Sequence, residues 1–236
     1  MIRALRSEWT RTKALVGTWV FMVLIVGIVF LPNLGLRMAV SQDPGGGRVR
    51  VTDMNLGFIG TIVLILAFSA WRSRSPRAHK LHAQSFLVLP SRWPQLAAVM
   101  LVNLMMCLAA VTVGLLVSFA LLASTGVGWQ EGGAADLVRL LFGYGAISLI
   151  ASAVGVLIGS TAAAVALPIV WVAMEPALVN IHPFLANKVA PWLPMRNVLT
   201  LMTGESTGGH PILVLGAWAL LFVAAAFWRH QRADVR

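Results

Sequence analysis

The sequence predicts an all-α integral membrane protein with six transmembrane helices and both termini in the cytoplasm. The first indication is composition: 58% of the 236 residues are hydrophobic and only 11% are charged, whereas soluble domains carry about 25% charged residues. The second is a series of apolar runs, each close to the roughly 20 residues that a helix needs to cross the hydrocarbon core. The third is an uneven distribution of Lys and Arg between these runs.

The apolar runs divide the chain into spans and connecting segments. A run such as Met22–Leu31 has almost no polar stripe, which a buried helix of a soluble protein would usually show. Segments such as Asp43-Pro44-Gly45 have the composition of loops. The predicted spans cover approximately residues 14–36, 54–71, 96–124, 137–159, 161–181 and 211–228, within one transmembrane domain over residues 1–236.

The basic residues predict the orientation. Of the 18 Lys and Arg residues, 12 fall on the side that holds the two termini and the segment between spans two and three, and 6 fall on the other side. The richer side is expected to be cytoplasmic. Because the basic residues separate apolar runs instead of following one polar face, the net charge of +10 indicates topology and contact with anionic lipid, not nucleic-acid binding.

The N-terminal segment combines apolar and basic residues at helical spacing. Ile2, Leu5 and Trp9 lie at positions i, i+3 and i+7, with basic residues between them. Such a segment can lie along the inner membrane surface as a short amphipathic helix. The alternative is a frayed basic segment that acts only as a topology signal.

The segment 72–95 is predicted to be a structured basic loop between spans two and three. Ser75-Pro76 resembles a helix start, because Ser can cap a helix and Pro is tolerated in its first turn. A second start is predicted at Ser91-Arg92-Trp93-Pro94. A basic loop of this kind favours docking of a partner; positive-inside charge without any partner is the alternative. His79 and His82 have no accompanying carboxylate or third histidine, so no metal site is predicted.

Glu175 is the most unusual residue of the predicted spans. An ionisable group inside a span is costly unless it is paired or hydrated, which makes it a functional candidate. Asn180 follows about one turn later, and the two residues are predicted to lie on a substrate pathway. Alternatively, Pro176 and Pro183 end the span early and leave Glu175 at the outer interface. Residues 182–210 are predicted to form short re-entrant helices in the outer leaflet.

Several chemical signatures are missing from the sequence. There is no phosphate-binding G-x-x-x-x-G-K-[ST] loop and no grouping of polar residues typical of a membrane protease or lipid-modifying enzyme. The single cysteine, Cys107, is interpreted as a small core residue. Gly155 and Gly159 form a G-x-x-x-G pattern in the fourth span, which favours close helix packing. No catalytic residue and no cofactor site is predicted in this chain.

The layout resembles the permease subunit of ABC type-2 transporters. The similarity extends along essentially the whole chain. It includes the basic start at Arg3–Trp9, the six spans, the short connection between spans four and five, and the proline-broken segment before the last span. Residues Leu87–Trp93, which read LVLPSRW, are close to the L-x-x-P-x-R stretch of that family. The glutamate, Gly-Thr pair and lysine that relatives often carry around this proline are missing here.

The resemblance implies a mechanism and a set of partners. Two permease chains, identical or different, would form a pathway at their interface, and two separate ATPase subunits with ATP and Mg²⁺ would dock beneath them. ATP binding would push a coupling helix within the basic loop and switch the cavity between inward and outward access. The residues implied in this coupling are Arg74, Arg77, His79, Lys80, His82 and Arg92.

These inferences predict an exporter in the bacterial plasma membrane and not an enzyme. Since the spans offer an apolar cavity with few charges, hydrophobic or amphipathic cargo is expected, such as a drug, an antimicrobial peptide or a lipid. Two other functions share parts of this pattern: a membrane enzyme that acts on lipid or peptide, and a non-transporting membrane anchor or immunity protein. ATP-dependent movement of a substrate would separate the transporter from both.

Overall fold

The computed structural model describes residues 1–42, 48–78, 93–126, 128–129, 133–205 and 208–232. Short turns of helix lie at Thr52–Asn55, Leu185–Val189 and Ala190–Trp192, and two short strands, β1 (Arg48–Val49) and β2 (Gly128–Trp129), pair in parallel. The longer helices are α1 (Ile2–Ala14), α2 (Val16–Phe30), α3 (Pro32–Gln42), α4 (Phe58–Ala78), α5 (Trp93–Ala123), α6 (Gly133–Leu157), α7 (Thr161–Val179), α8 (Pro194–Thr203) and α9 (His210–Arg232).

The protein is a multi-pass, all-α membrane protein. In the part of the chain that the structure describes, five helical segments are long and apolar enough to cross a membrane: Val16–Val40, which joins α2 and α3, and helices α5, α6, α7 and α9. Helix α4 is not among the five. Its apolar part ends at Trp71 and is followed by Arg72 and Arg74.

The helix bounds follow the predicted spans except at the first two, where α3 continues to Gln42 and α4 begins only at Phe58. The first predicted span is divided at Leu31, because Pro32 has no N–H to continue the hydrogen-bond ladder. The second predicted span does not stop at residue 71, and the helix start predicted at Ser75-Pro76 is wrong, since α4 continues to Ala78. The physical reason is tertiary: Arg72 and Ser73 are both buried, so packing extends the helix beyond its apolar part.

Helices α4 and α6 pack closely through Gly155. A Cβ atom at this position would overlap the backbone carbonyl oxygen of Ala70 in α4, so only glycine allows the observed approach. On the same two helices, Ala70 and, one turn from Gly155, Ala151 are fully buried. The predicted close packing at Gly155 is therefore within the chain, whereas a Cβ atom at Gly159 would have no neighbour within 4 Å.

A buried polar cluster joins α4, α5 and α6. The Nδ2 atom of Asn103 donates hydrogen bonds to the hydroxyl oxygens of Ser73 and Ser152, both at 3.1 Å. One turn away, the hydroxyls of Ser69 and Ser148 are 3.0 Å apart. Hydroxyl and amide side chains between membrane helices hydrogen-bond across the interface, since lipid offers them no partner. These bonds set the register of the three helices.

The helices bring distinct sets of residues to the two ends of the bundle. At the end that we call the α1 end, Arg74 of α4 donates to the carbonyl oxygen of Gly159, and Arg229 of α9 donates to that of Leu157. Both arginines thus hold the short connection between α6 and α7. At the opposite end, the α8 end, the Tyr144 hydroxyl donates to Asn55 at 2.5 Å, and the Asn55 amide contacts the Met202 sulfur of α8 at 3.3 Å.

The contact at Gly155 can be tested by adding a single methyl group. We expect Gly155→Ala to destabilise the protein by about 1–3 kcal/mol through overpacking, although alanine is the better helix former. Gly27→Ala is the matched control, because Gly27 is also inside a helix but no atom lies within 4 Å of the place that its added methyl group would occupy. Thermal unfolding of the detergent-purified variants measures the difference; equal melting temperatures would contradict the close α4–α6 contact.

Candidate functional site

The first candidate site is a buried ion pair at the α1 end. Arg72, with 4% of its surface exposed, reaches from α4 to Glu8 of α1, which is 7% exposed. The Nη2 atom lies 3.4 Å from Glu8 Oε2 and donates to Thr12 Oγ1 at 2.7 Å. The Nη1 atom donates to Thr18 Oγ1 of α2 at 3.3 Å. The guanidinium of α4 therefore binds both α1 and α2, and its charge is compensated inside the protein.

The spacing of residues in α1 explains how the helix reaches this pair. Ala4, Glu8 and Thr12 lie four residues apart and form the buried face of the helix. Ile2 and Trp9 are 82% and 40% exposed, respectively. The N-terminal segment is thus helical, and these two apolar residues point outward while a narrow stripe of small and polar residues docks onto the bundle. This outward apolar face is suited to contact with lipid.

The structure places only part of the predicted coupling residues. Arg74 lies in α4 one turn before its end, and its guanidinium donates to the Gly159 carbonyl. Arg77 lies in the last turn of α4. The remaining residues of the set lie outside the described residues: His79, Lys80, His82 and Arg92. The described part of the predicted set is therefore next to the buried Arg72–Glu8 pair and the α6–α7 connection.

The second candidate site is built around Glu175 at the α8 end. Glu175 lies in the last turns of α7 and is only 1% exposed. Its Oε2 atom accepts hydrogen bonds from the indole Nε1 of Trp171 at 2.6 Å and from the backbone N–H of Met195 at 3.2 Å. Its Oε1 atom accepts from the backbone N–H of Arg196 at 2.7 Å. The carboxylate has three donors around it, and these compensate its burial.

The local sequence of α8 explains why this carboxylate is needed. The residue before the helix is Leu193, whose side chain cannot accept a hydrogen bond, and Pro194 occupies the first helical position. The next two N–H groups, of Met195 and Arg196, would lack partners at the start of an isolated helix. Glu175 supplies both acceptors from another helix, and its negative charge complements the positive end of the helix dipole.

Asn180 lies apart from the Glu175 carboxylate and the two N–H groups of α8 that it binds, an arrangement that we call the carboxylate cap. It follows directly on α7 as its C-terminal cap residue, and its side chain is exposed. The two residues predicted to lie together on a substrate pathway therefore differ: Glu175 binds α8, and Asn180 faces outward. Among the described residues, no group of three or more His, Cys, Asp and Glu side chains is arranged to hold a metal ion.

Sequence reasoning identifies Glu175 but misses the Arg72–Glu8 pair. Glu8 and Arg72 are 64 positions apart, and the sequence pattern assigns each to a basic or amphipathic boundary segment. The sequence of α1 does contain an indication that Glu8 is buried. Glu8 is the only acid of the segment and lies four residues from both Ala4 and Thr12, on the face of small and polar residues. The polar cluster around Asn103 could likewise have been predicted from the sequence, because its serines, including Ser148 and Ser152, lie four residues apart on one helix face.

The Arg72–Glu8 ion pair can be tested by comparing the stability of single and double variants. We expect Arg72→Met to destabilise the protein by about 1–3 kcal/mol, because buried Glu8 would keep only Arg11, whose Nη1 atom lies 3.4 Å from Glu8 Oε1, as an ion-pair partner. The double variant Glu8→Leu/Arg72→Met should regain most of this loss. Thermal unfolding of the purified protein measures both effects, and Arg3→Ala, at an exposed position of α1, is the control. A double variant no more stable than the single one would contradict the pairing.

The carboxylate cap predicts a local effect on α8. We expect Glu175→Ala to cost about 1–3 kcal/mol, since two backbone N–H groups and an indole lose their acceptor. Glu175→Gln retains one acceptor oxygen and should lose less. Hydrogen exchange of residues 194–203 measures the opening of α8 directly, with Glu205→Gln, an exposed acid beyond the helix, as control. Unchanged exchange in Glu175→Ala would show that α8 does not depend on this cap.

No protein family, curated protein or solved structure matches this chain. Its function is therefore inferred from the residues and from their arrangement.

Proposed function

We propose that this chain is the membrane-spanning permease subunit of an ABC type-2 transporter in a bacterial plasma membrane. In this proposal it spans the membrane six times, with the α1 end in the cytoplasm, and exports hydrophobic or amphipathic compounds. It pairs with a second permease chain and is driven by two separate ATPase subunits that carry ATP and Mg²⁺. It performs no bond chemistry of its own.

The observation that carries the proposal is the continuous set of contacts at the α1 end. Helix α1 is bound to α4 through the buried Arg72–Glu8 pair. Two residues further along α4, Arg74 binds the α6–α7 connection, which Arg229 of α9 also binds. The basic segment after residue 78 follows directly on α4 in the sequence. A partner that presses on this segment would therefore move α4 together with α1 and the α6–α7 connection.

The proposed sixth span is α4. Its apolar part, residues 58–71, is about 21 Å long, so the proposed span also includes the helical turn before it and the paired Arg72 to reach the thickness of the hydrocarbon core. The turn before it contacts α8 through Asn55, whereas Arg72 near its other end contacts α1, so α4 extends between the two ends of the bundle. Arg72 does not oppose this assignment, because its charge is paired and hydrogen-bonded within the protein.

Glu175 and Asn180 are proposed to act at the outer end of the pathway. Glu175 contributes by positioning: its carboxylate binds the start of α8 and so determines where the segment between α7 and α9 lies. Asn180 is exposed at the end of α7 and is available to contact a passing substrate or the second permease chain. The short helices between residues 185 and 203 would then lie re-entrant in the outer leaflet, covered on one side by α7 and α9.

The exposed surface of α7 supports both pairing and apolar cargo. Leu167, Val170, Trp171 and Met174 are all between 44% and 55% exposed. Lipid can cover such a surface, and so can a second membrane chain or a hydrophobic substrate. The sparse charge along this helix is unsuited to a highly charged solute, which supports the proposed substrate class.

Co-purification with a co-expressed ABC ATPase subunit from the same genome tests the proposal. We expect a stable complex that hydrolyses ATP. The double variant Arg77→Glu/Lys80→Glu should reduce complex formation by at least about tenfold, because it removes two positive charges that would contact the ATPase and replaces them with negative charges. The matched control is Arg48→Glu/Lys188→Glu, which makes the same charge change at residues outside the α1 end. A folded chain that never binds the ATPase, or a control that weakens the complex equally, would overturn the coupling role.

A further inference from the structure

Two adjoining cavities at the α8 end differ in chemistry and share one residue. A polar pocket of about 260 Å³ lies between α8 and the start of α9, and its lining includes Arg196, Thr200 and His210. An apolar groove of about 520 Å³ continues along α9 and is lined by Trp192, His210 and the outer face of the helix. His210 and the ring of Trp192 meet edge to face with centroids 5.3 Å apart, so this pair marks the border between the two.

The polar pocket presents donors to its interior. The Arg196 guanidinium takes no part in an ion pair among the described residues, and no acidic residue lines the pocket. The backbone N–H of Arg196 is bound to Glu175, whereas its side chain lines the pocket. The Thr200 hydroxyl already donates to the Arg196 carbonyl. The Asn197 amide nitrogen, also in the lining, donates to the carbonyl oxygens of Pro191 and Leu193. The donors left to bind a ligand are therefore the guanidinium and the imidazole, which suit an anion.

The apolar groove follows the outer face of α9. Leu213, Ala217 and Leu221 follow one another at four-residue intervals along α9, and Trp218 forms the wall. The Trp218 indole donates to the carbonyl oxygen of Trp192 at 2.8 Å, which fixes the wall in place. From His210 to Leu221 the helix rises about 16 Å, which is about half of the hydrocarbon thickness.

We propose that these two cavities form a binding site for an anionic phospholipid of the surrounding bilayer. The phosphate headgroup is bound by Arg196 and His210 in the polar pocket, and one acyl chain lies in the groove along α9. The charge of the pocket, the apolar character of the groove and their order from the helix start inward all match such a lipid. The proposal requires only that α9 crosses the membrane, so it does not depend on the transport role.

Photo-crosslinking in nanodiscs tests this site. The full-length protein is reconstituted with a diazirine-tailed phosphatidylglycerol or with the same analogue of phosphatidylcholine, and crosslinked peptides from residues 192–221 are quantified. We expect the anionic lipid to label this segment about tenfold more than the zwitterionic lipid. Both lipids carry a phosphate, but the choline of phosphatidylcholine adds a positive charge beside the Arg196 guanidinium, which lines a pocket without an acidic residue. Equal labelling by both lipids would overturn the proposed headgroup site.

Matched variants separate the two halves of the site. Arg196→Ala and His210→Ala should each lower phosphatidylglycerol labelling severalfold, whereas Lys188→Ala, an exposed cation that does not line the pocket, should not. Ala217→Trp fills the groove and should lower labelling, whereas Leu220→Trp, on the same helix but outside the groove, should leave it unchanged. If Ala217→Trp leaves the labelling unchanged, no acyl chain lies in the groove and the lipid proposal is wrong.

Discussion

Buried polar groups that find partners on other helices determine how this chain packs. In a membrane protein, an apolar side chain is about equally stable against lipid and against another helix, so apolar burial alone selects no single arrangement. A buried guanidinium, carboxylate or amide is different, because it is costly wherever its hydrogen bonds are missing. Arg72, Glu175 and Asn103 each have partners from other parts of the chain. Their bonds select one register among many apolar packings of similar energy.

These interactions are of opposite kinds at the two ends of the bundle. At the α1 end, arginine side chains bind a carboxylate and the backbone carbonyls of the α6–α7 connection. At the α8 end, a carboxylate binds backbone N–H groups at the start of a short helix. The first arrangement joins long helices into one unit. The second holds the start of a short helix whose other face, with Val198 and Leu201, packs into the apolar core.

The candidate sites show which features of a site are visible in a sequence. Glu175 can be identified because a carboxylate within an apolar run needs a partner of some kind. The partner itself cannot be identified, since backbone N–H groups have no sequence signature and belong to residues about 20 positions away. Arg72 looks like a topology charge for a similar reason. A basic residue at the end of an apolar run usually contacts water or lipid headgroups, and only the position of α1 shows that this one is buried.

The sequence by itself determined the class of the protein and the position of its long helices, because span length and sparse charge are properties of the chain that do not depend on long-range contacts. It also located the short α6–α7 connection and the proline-broken segment before α9. The tertiary structure alone decided that α4 continues past Trp71, that Gly155 meets Ala70, and that Glu175 caps α8. Each of these depends on atoms brought together from distant parts of the chain, and local propensity carries no information about them.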